Sequence, residues 1–228
     1  RYFIPTDAAA AFHQMGLSKA SRSLTSFNTP WGNFQWTVLS MGLSWSSHRL
    51  QSVLDRILGG PSGFLHASPT GVKIFADDAI LHSDTIEGLA KVLDWFLTRL
   101  DAYNIKLEAG KTGNTCEEVH FLGHVISADG VKPNQDKVRA LRDWPAPQTL
   151  TQLRSFLGFT NWFRDSIPRY AQLARPLEQL LAGPKRKKNS PIDLDEHGLS
   201  AIHLLKDALT SAPVLSYPDP KATFFIHH

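Results

Sequence analysis

Two short apolar runs, Val72-Lys73-Ile74-Phe75 and Ile80-Leu81-His82, flank Ala76-Asp77-Asp78-Ala79, and no other feature constrains the chain as much. Runs of this kind around a short break predict a tight hairpin with both carboxylates at its tip. Adjacent carboxylates repel, and a hairpin gains nothing from them unless a cation neutralises the pair. A third apolar run, residues 2–6, reads as a buried strand ending at Asp7. If the strands 2–7 and 72–77 are neighbours in one sheet, Asp7 and Asp77 meet at the same edge. Oxygen-only donors select Mg²⁺ or Mn²⁺, and two such ions about 4 Å apart can align a hydroxyl with a phosphate. Taken alone, the Asp-Asp pair also fits a solvated turn, where aspartate is common.

Residues 23–39 alternate loosely around Thr29-Pro30-Trp31-Gly32 and predict a second hairpin. Leu50, Val53, Leu54, Ile57 and Leu58 recur at helical spacing, so a helix is expected over 46–58, stopped at Gly59-Gly60-Pro61. Ile86, Leu89, Val92, Leu93, Phe96, Leu97 and Leu100 share one face of an amphipathic helix over 85–103. Further strands are expected from Ile105 to Leu107 and from Val119 to Ser127, with a turn at Ala128-Asp129-Gly130. Beyond Pro133 the pattern is helical, near 134–143, 149–163, 170–182 and 194–210. Pro145-Ala146-Pro147, Ile167-Pro168 and a basic linker over 183–190 separate these helices. Mixed α/β followed by helices predicts two structural units joined near residue 131.

Charge divides the chain in a similar way. Residues 1–131 hold 10 Lys/Arg against 12 Asp/Glu, residues 132–188 hold 12 against 4, and residues 189–228 hold 2 against 5. The basic middle block, net +8, points to a polyanion, nucleic acid before membrane, although a solvated basic helical surface has the same composition. With 42% hydrophobic residues and a net charge of +3, the chain is not a disordered one. The longest uncharged stretch, Ser23 to Ser47, contains Pro30, Gly32, Gly42 and many polar groups, so no bilayer-spanning helix is expected. A single cysteine, Cys116, excludes an internal disulfide and a Cys-rich zinc site and fits a reducing intracellular compartment. His120 and His124 fall on a strand, where a four-residue spacing does not build a helical zinc site.

The run Phe75-Ala76-Asp77-Asp78 resembles the aromatic-x-Asp-Asp box of reverse transcriptases. Asp7-Ala8-Ala9-Ala10-Ala11-Phe12-His13-Gln14 is similar to their first catalytic motif as it occurs in gypsy-like LTR retrotransposons. Phe27-x-Thr29-Pro30-x-Gly32-x-Phe34 follows that group too, as does Phe121-Leu122-Gly123-His124-Val125-Ile126-Ser127 with Gly130 and Pro133 after it. Leu153-Arg154-Ser155-Phe156-Leu157-Gly158, with Asn161, Arg164, Ile167 and Pro168, resembles the group's thumb. Leu209 to Leu215, followed by Pro218-Asp219, resembles its connection to a ribonuclease H domain. These motifs are collinear and span nearly the whole chain.

The resemblance implies an α+β fold: a right-hand polymerase palm, an antiparallel sheet backed by helices, followed by a helical thumb. The palm would cover 1–131, with the returning part of the fingers near 16–43, the thumb 132–183, and a linker and start of connection 184–228. The implied activity is RNA-directed DNA polymerisation on an RNA or DNA template with an annealed primer. Asp7, Asp77 and Asp78 would hold two Mg²⁺ (or Mn²⁺), one activating the primer 3′-hydroxyl for attack on the α-phosphate of a dNTP, the other holding pyrophosphate. Lys111 would offset triphosphate charge or protonate pyrophosphate. Phe12 would be the steric gate that excludes a ribose 2′-hydroxyl. Gly42 and Gln51 fall in the motif that lies against the template-primer and the incoming base. Phe121, Leu122, Gly123 and His124 resemble the primer grip. Arg139, Arg142 and Arg154 are the phosphate-contact candidates of the thumb.

The chain departs from the family pattern mainly in its second motif. Ser40-Met41-Gly42-Leu43-Ser44-Trp45-Ser46-Ser47 stands where Pro-Phe-Gly-Leu-x-Asn-Ala-Pro is usual, so a less rigid loop is expected. Phe75 replaces the usual Tyr, Ala8 a leucine and Thr112 a cysteine. Most of the fingers and the ribonuclease H domain are expected to be missing, as in a fragment of a Pol polyprotein. An intracellular location, in a cytoplasmic particle or the nucleus, goes with this identity. Against the enzyme stands a second reading, a catalytically dead retroelement remnant that binds nucleic acid through its basic thumb.

Overall fold

The computed structural model describes residues 1–59, 71–182 and 189–217, and forms two compact units, Arg1–Phe121 and Leu122–His228. Gly60-Pro61, the basic stretch 183–188, Pro218-Asp219 and the closing His227-His228 lie outside the described residues.

In the first unit, strand β1 (Tyr2–Asp7) pairs antiparallel with β5 (Asp78–Ser83), and β5 pairs with β4 (Val72–Phe75), giving the order β1-β5-β4. β5 is the central strand because Ala79, Ile80 and Leu81 are buried in succession, the pattern of a strand covered on both faces. The condition that strands 2–7 and 72–77 be neighbours is therefore not met. The return strand lies between them, and Asp7 pairs with Asp78 rather than with Asp77. Helix α2 (Ser46–Leu58) buries Leu50, Leu54, Ile57 and Leu58. Helix α3 (Ile86–Ala102) buries Leu89, Val92, Phe96 and Leu100, and the Thr85 side chain caps it by accepting from the Gly88 N–H at 3.0 Å. Both helices back the sheet, with Ile4, Leu58, Leu81, Leu89 and Phe96 in one core. Arg99 ties them together by donating to the Ile57 carbonyl at the end of α2, at 2.9 and 2.7 Å.

The expected hairpin at 23–39 is present as β2 (Phe27–Thr29) and β3 (Gly32–Phe34). It is preceded by a four-residue helix, α1 (Lys19–Arg22), too short to leave a periodic signal. Ile105 to Leu107 is not a strand: one isolated bridge, Leu107 to Ala8, takes the place of the expected ladder. The run Val119 to Ser127 divides into β6 (Glu118–Phe121) and β7 (His124–Ser127), separated by Leu122 and Gly123, both at positive φ (49° and 79°).

In the second unit, β7 pairs with β8 (Val131–Pro133). Four helices follow: α4 (Gln135–Arg142), α5 (Leu150–Trp162), α6 (Tyr170–Leu181) and α7 (Glu196–Thr210). Asn134, Thr149 and Asp195 cap α4, α5 and α7 with their side chains. Leu153, Phe156, Leu177 and Leu205 are fully buried in one core shared by α5, α6 and α7. The described part of 184–228 thus packs with the thumb-like helices as one body. The division falls at 121/122, ten residues before the expected junction, because Val131 forms a backbone bridge with Leu215 and His124 packs on Phe163 (5.0 Å between rings). Gly130 (φ 142°) permits that bridge, since a Cβ there would stand 2.2 Å from the Leu215 carbonyl oxygen. Among the described residues no helix is long and apolar enough to cross a membrane.

Candidate active site

The sheet register brings the carboxylates together. Asp7 closes β1 opposite Asp78, and the Ala8 N–H donates to the Asp77 carbonyl at 2.9 Å, which fastens the end of β1 to the tip of the β4–β5 hairpin. That tip is a two-residue turn, Ala76-Asp77, so Asp77 sits in the turn and Asp78 opens the strand. Ala76 has φ 54°, in the left-handed region that favours glycine, while Asp77 keeps a negative φ. Holding a non-glycine residue there costs roughly 1–2 kcal/mol. Gln51 of α2 offsets part of it: its Oε1 accepts from the Ala76 N–H at 2.7 Å.

Lys111 completes the cluster, with its Nζ 3.4 Å from both Asp7 carboxylate oxygens. This pair is exposed on the lysine side and adds little stability, but it puts one cation against three anions. Burial pushes the Asp78 carboxyl above its ordinary range, the charges of Asp77 and Asp7 push it the same way, and Lys111 pulls it back. Among the described residues no group of three or more His, Cys, Asp or Glu side chains forms a ready-made metal shell. An open set of hard oxygen donors, short of positive charge, fits Mg²⁺, which binds through one or two carboxylates and leaves positions to water and phosphate.

The remaining first-unit candidates fall around this cluster to different degrees. Phe12 lies in a short 3₁₀ turn after Asp7 and packs, half-buried, on the buried cluster of Ala8, Ala11, Leu50 and Leu54. Gln51 reaches the turn directly. Gly42 (φ 85°) stays in an exposed loop before α2. That loop, which lacks the family's two prolines, is closed by a buried hydrogen bond from the Ser46 hydroxyl to the Ser40 carbonyl at 2.6 Å. Trp45 is 78% exposed beside it.

Phe121 ends β6 in the first unit, and Leu122, Gly123 and His124 begin the second. The Leu122 carbonyl accepts from Trp162 Nε1 at 3.0 Å and lies 3.1 Å from His124 Nδ1, so the turn is anchored on the end of α5. Arg139 and Arg142 of α4 are exposed but paired with Asp136 (3.2 Å) and Asp143 (3.6 Å). Arg154 of α5 is exposed and makes no ion pair among the described residues.

Gln14, the last residue of the first motif, has a structural part that its sequence neighbourhood does not disclose. Its Oε1 accepts from the Lys106 N–H (2.7 Å) and its Nε2 donates to the Lys106 carbonyl (2.9 Å) and to the Ala9 carbonyl. The amide thus imitates a strand partner and holds the segment leading to Lys111 against the chain leaving Asp7. Partners 92 residues apart leave no local signal.

An antiparallel sheet backed by helices, with three carboxylates at one end of its strands and a helical unit after it, defines an α+β polymerase fold. The family model for "Reverse transcriptase (RNA-dependent DNA polymerase)" matches residues 1–126, and the chain belongs to that family. Among its relatives are the retrovirus-related Pol polyproteins of the Drosophila melanogaster transposons 297 (31% identical over 99% of this chain) and gypsy (30% over 98%). The chain spans about a fifth of the length of these relatives, 20% and 22%. Solved structures with the same fold include a foamy viral protease-reverse transcriptase in complex with double-stranded DNA (TM-score 0.79, 21% identity) and one in complex with an RNA/DNA hybrid (0.78, 22%). Each is matched over 96% of this chain, which covers 37% and 28% of the two structures.

Proposed function

We propose that the chain is the polymerising core of a retrotransposon reverse transcriptase, an RNA-directed DNA polymerase that transfers a nucleotidyl group from a dNTP to a primer 3′-hydroxyl on an RNA or DNA template. The observation that carries this reading is the register Asp7–Asp78 with Asp77 in the adjoining turn. Asp7, Asp77 and Asp78 would hold two Mg²⁺ (or Mn²⁺), which when bound make the primer hydroxyl more acidic and offset phosphate charge. Lys111, 3.4 Å from Asp7, would offset triphosphate charge or give a proton to departing pyrophosphate. Phe12 would close the space beside the sugar. Phe121 to His124 would steady the primer, and Arg139, Arg142 and Arg154 would meet phosphates without reading sequence. Such chemistry belongs inside the cell, in a cytoplasmic particle or the nucleus.

Primer extension by the purified chain on an RNA template with a DNA primer tests the reading. dNTP-dependent extension in Mg²⁺ or Mn²⁺ is expected, and silence in both from folded protein would overturn it. Phe12→Ala should lower the preference for dNTP over rNTP by about 10²-fold, the scale on which a pocket wall rejects one hydroxyl. Competition between the two nucleotides measures this, and an unchanged ratio removes Phe12 from the gate.

The exposed Trp45 in a loop without its prolines favours a second reading, a remnant that binds nucleic acid through the thumb. It predicts duplex binding that weakens steeply with salt and is unchanged by Asp77→Asn, in a chain without polymerase activity.

A further inference from the structure

The arrangement that no assigned role uses is a relay from Asp55 through Gln51 to Ala76. Gln51 Nε2 donates to Asp55 Oδ1 at 2.8 Å, and Gln51 Oε1 accepts from the Ala76 N–H at 2.7 Å. Chemistry fixes the orientation of this amide. A backbone N–H can only donate and an ionised carboxylate can only accept, so the oxygen faces Ala76 and the nitrogen faces Asp55. Four residues apart on α2, the two side chains share one helix face. Strand pairing in the hairpin ends at Phe75 and Asp78, which leaves the Ala76 N–H without a ladder partner. Ala76 is also the residue held at φ 54°.

We infer that Gln51, oriented by Asp55, is a positioning residue: it locks Ala76 at its positive φ in the Ala76-Asp77 turn and so fixes where the Asp77 carboxylate points. Its effect on rate rests on the polymerase reading, whereas its effect on the turn does not. The inference differs from the nucleotide contact that family resemblance implies for Gln51, because both ends of the amide are engaged within the protein. Gln51 and Asp55 border an open cleft of about 320 Å³ with His48, Ser52 and Arg56, so replacing Gln51 does not excavate the core.

The test compares Gln51→Met, Asp55→Ala and the double substitution Gln51→Met with Ala76→Gly in the full chain. Hydrogen exchange at the Ala76 amide, read by NMR, should accelerate about tenfold in Gln51→Met, the size expected for one hydrogen bond, and less in Asp55→Ala. In primer extension, Gln51→Met should lower kcat about tenfold with the dNTP KM nearly unchanged, the signature of lost transition-state geometry. Glycine adopts positive φ without a Cβ penalty, so Ala76→Gly should restore part of that kcat. A raised KM with kcat retained, or no recovery with glycine, would overturn the inference in favour of nucleotide contact. Unchanged exchange at Ala76 would overturn it whatever the kinetics. Wild-type protein without polymerase activity sinks the polymerase reading instead, and the exchange measurement still decides whether Gln51 holds the turn.

Discussion

Asp77→Asn should reduce primer extension on the order of 10³-fold or more, the scale seen when a group that stabilises transition-state charge is removed. The substitution preserves shape. Asp77 is exposed in a two-residue turn, and the contact that anchors its backbone, from the Ala8 N–H to the Asp77 carbonyl, does not use the side chain. The fold should therefore be retained, with a melting temperature at pH 7 no lower than wild type because repulsion with Asp78 is relieved, and what is lost is the negative oxygen that Asp77 would offer a cation. Extension surviving at near wild-type rate would remove these carboxylates from the chemistry. An accompanying loss of folded protein would point to a structural role for Asp77 instead.

The neighbouring position separates function from stability in the opposite sense. The Asp78 carboxyl is held above its ordinary range by burial and by the charges of Asp77 and Asp7. As pH rises, the unfolded chain gives up this proton before the folded one does, so the folded state loses stability between the ordinary carboxylate range and the raised value and stays penalised at neutral pH. Asp78→Asn should accordingly melt higher than wild type at pH 7, with the gap closing in acid where both are neutral. It should also weaken extension. Adding Mg²⁺ should narrow the gap by stabilising the wild type, with all three carboxylates, more than the variant. Thermal melts of both proteins across pH check this, and a lower melting temperature for Asp78→Asn at pH 7 would contradict the electrostatic account.

How far the sequence discloses this site depends on how local each cause is. Helix α2 occupies 46–58 as expected, because Leu50, Leu54 and Ile57 mark a buried stripe that nothing else in the segment contradicts. The four helices after Pro133 follow their stripes to within one or two residues. Strand order is different. Either arm of the β4–β5 hairpin could pair with β1 on pattern alone, and the continuous burial of Ala79 to Leu81 decides it only once the sheet is assembled. The Gln14 and Gln51 amides are less legible still, since each satisfies a backbone group far along the chain that becomes an orphan only after folding. The positive φ of Leu122 defies its own preference, and Gly123 beside it is the only local hint of a turn.

Phe156→Ala should separate the two units energetically. Phe156 is completely buried between Leu153, Leu177 and Leu205, with its ring edge-on to Trp144 at 6.4 Å. Removing it leaves a cavity that α5, α6 and α7 can only partly close, at about 3–5 kcal/mol. Domains are typically stable by only about 5–15 kcal/mol, so the second unit would be brought close to unfolding. The first unit has its own core on Leu81, Leu89 and Phe96, which Phe156 does not enter. Hydrogen exchange in native conditions should therefore accelerate about 10²- to 10⁴-fold across α5 to α7 and stay unchanged in β1 and β5. Duplex affinity should fall with it, and primer extension should fail although Asp7, Asp77 and Asp78 remain folded together. Equal acceleration in both units would mean that they unfold as one, and the division at Leu122 would then be one of shape without a separate stability.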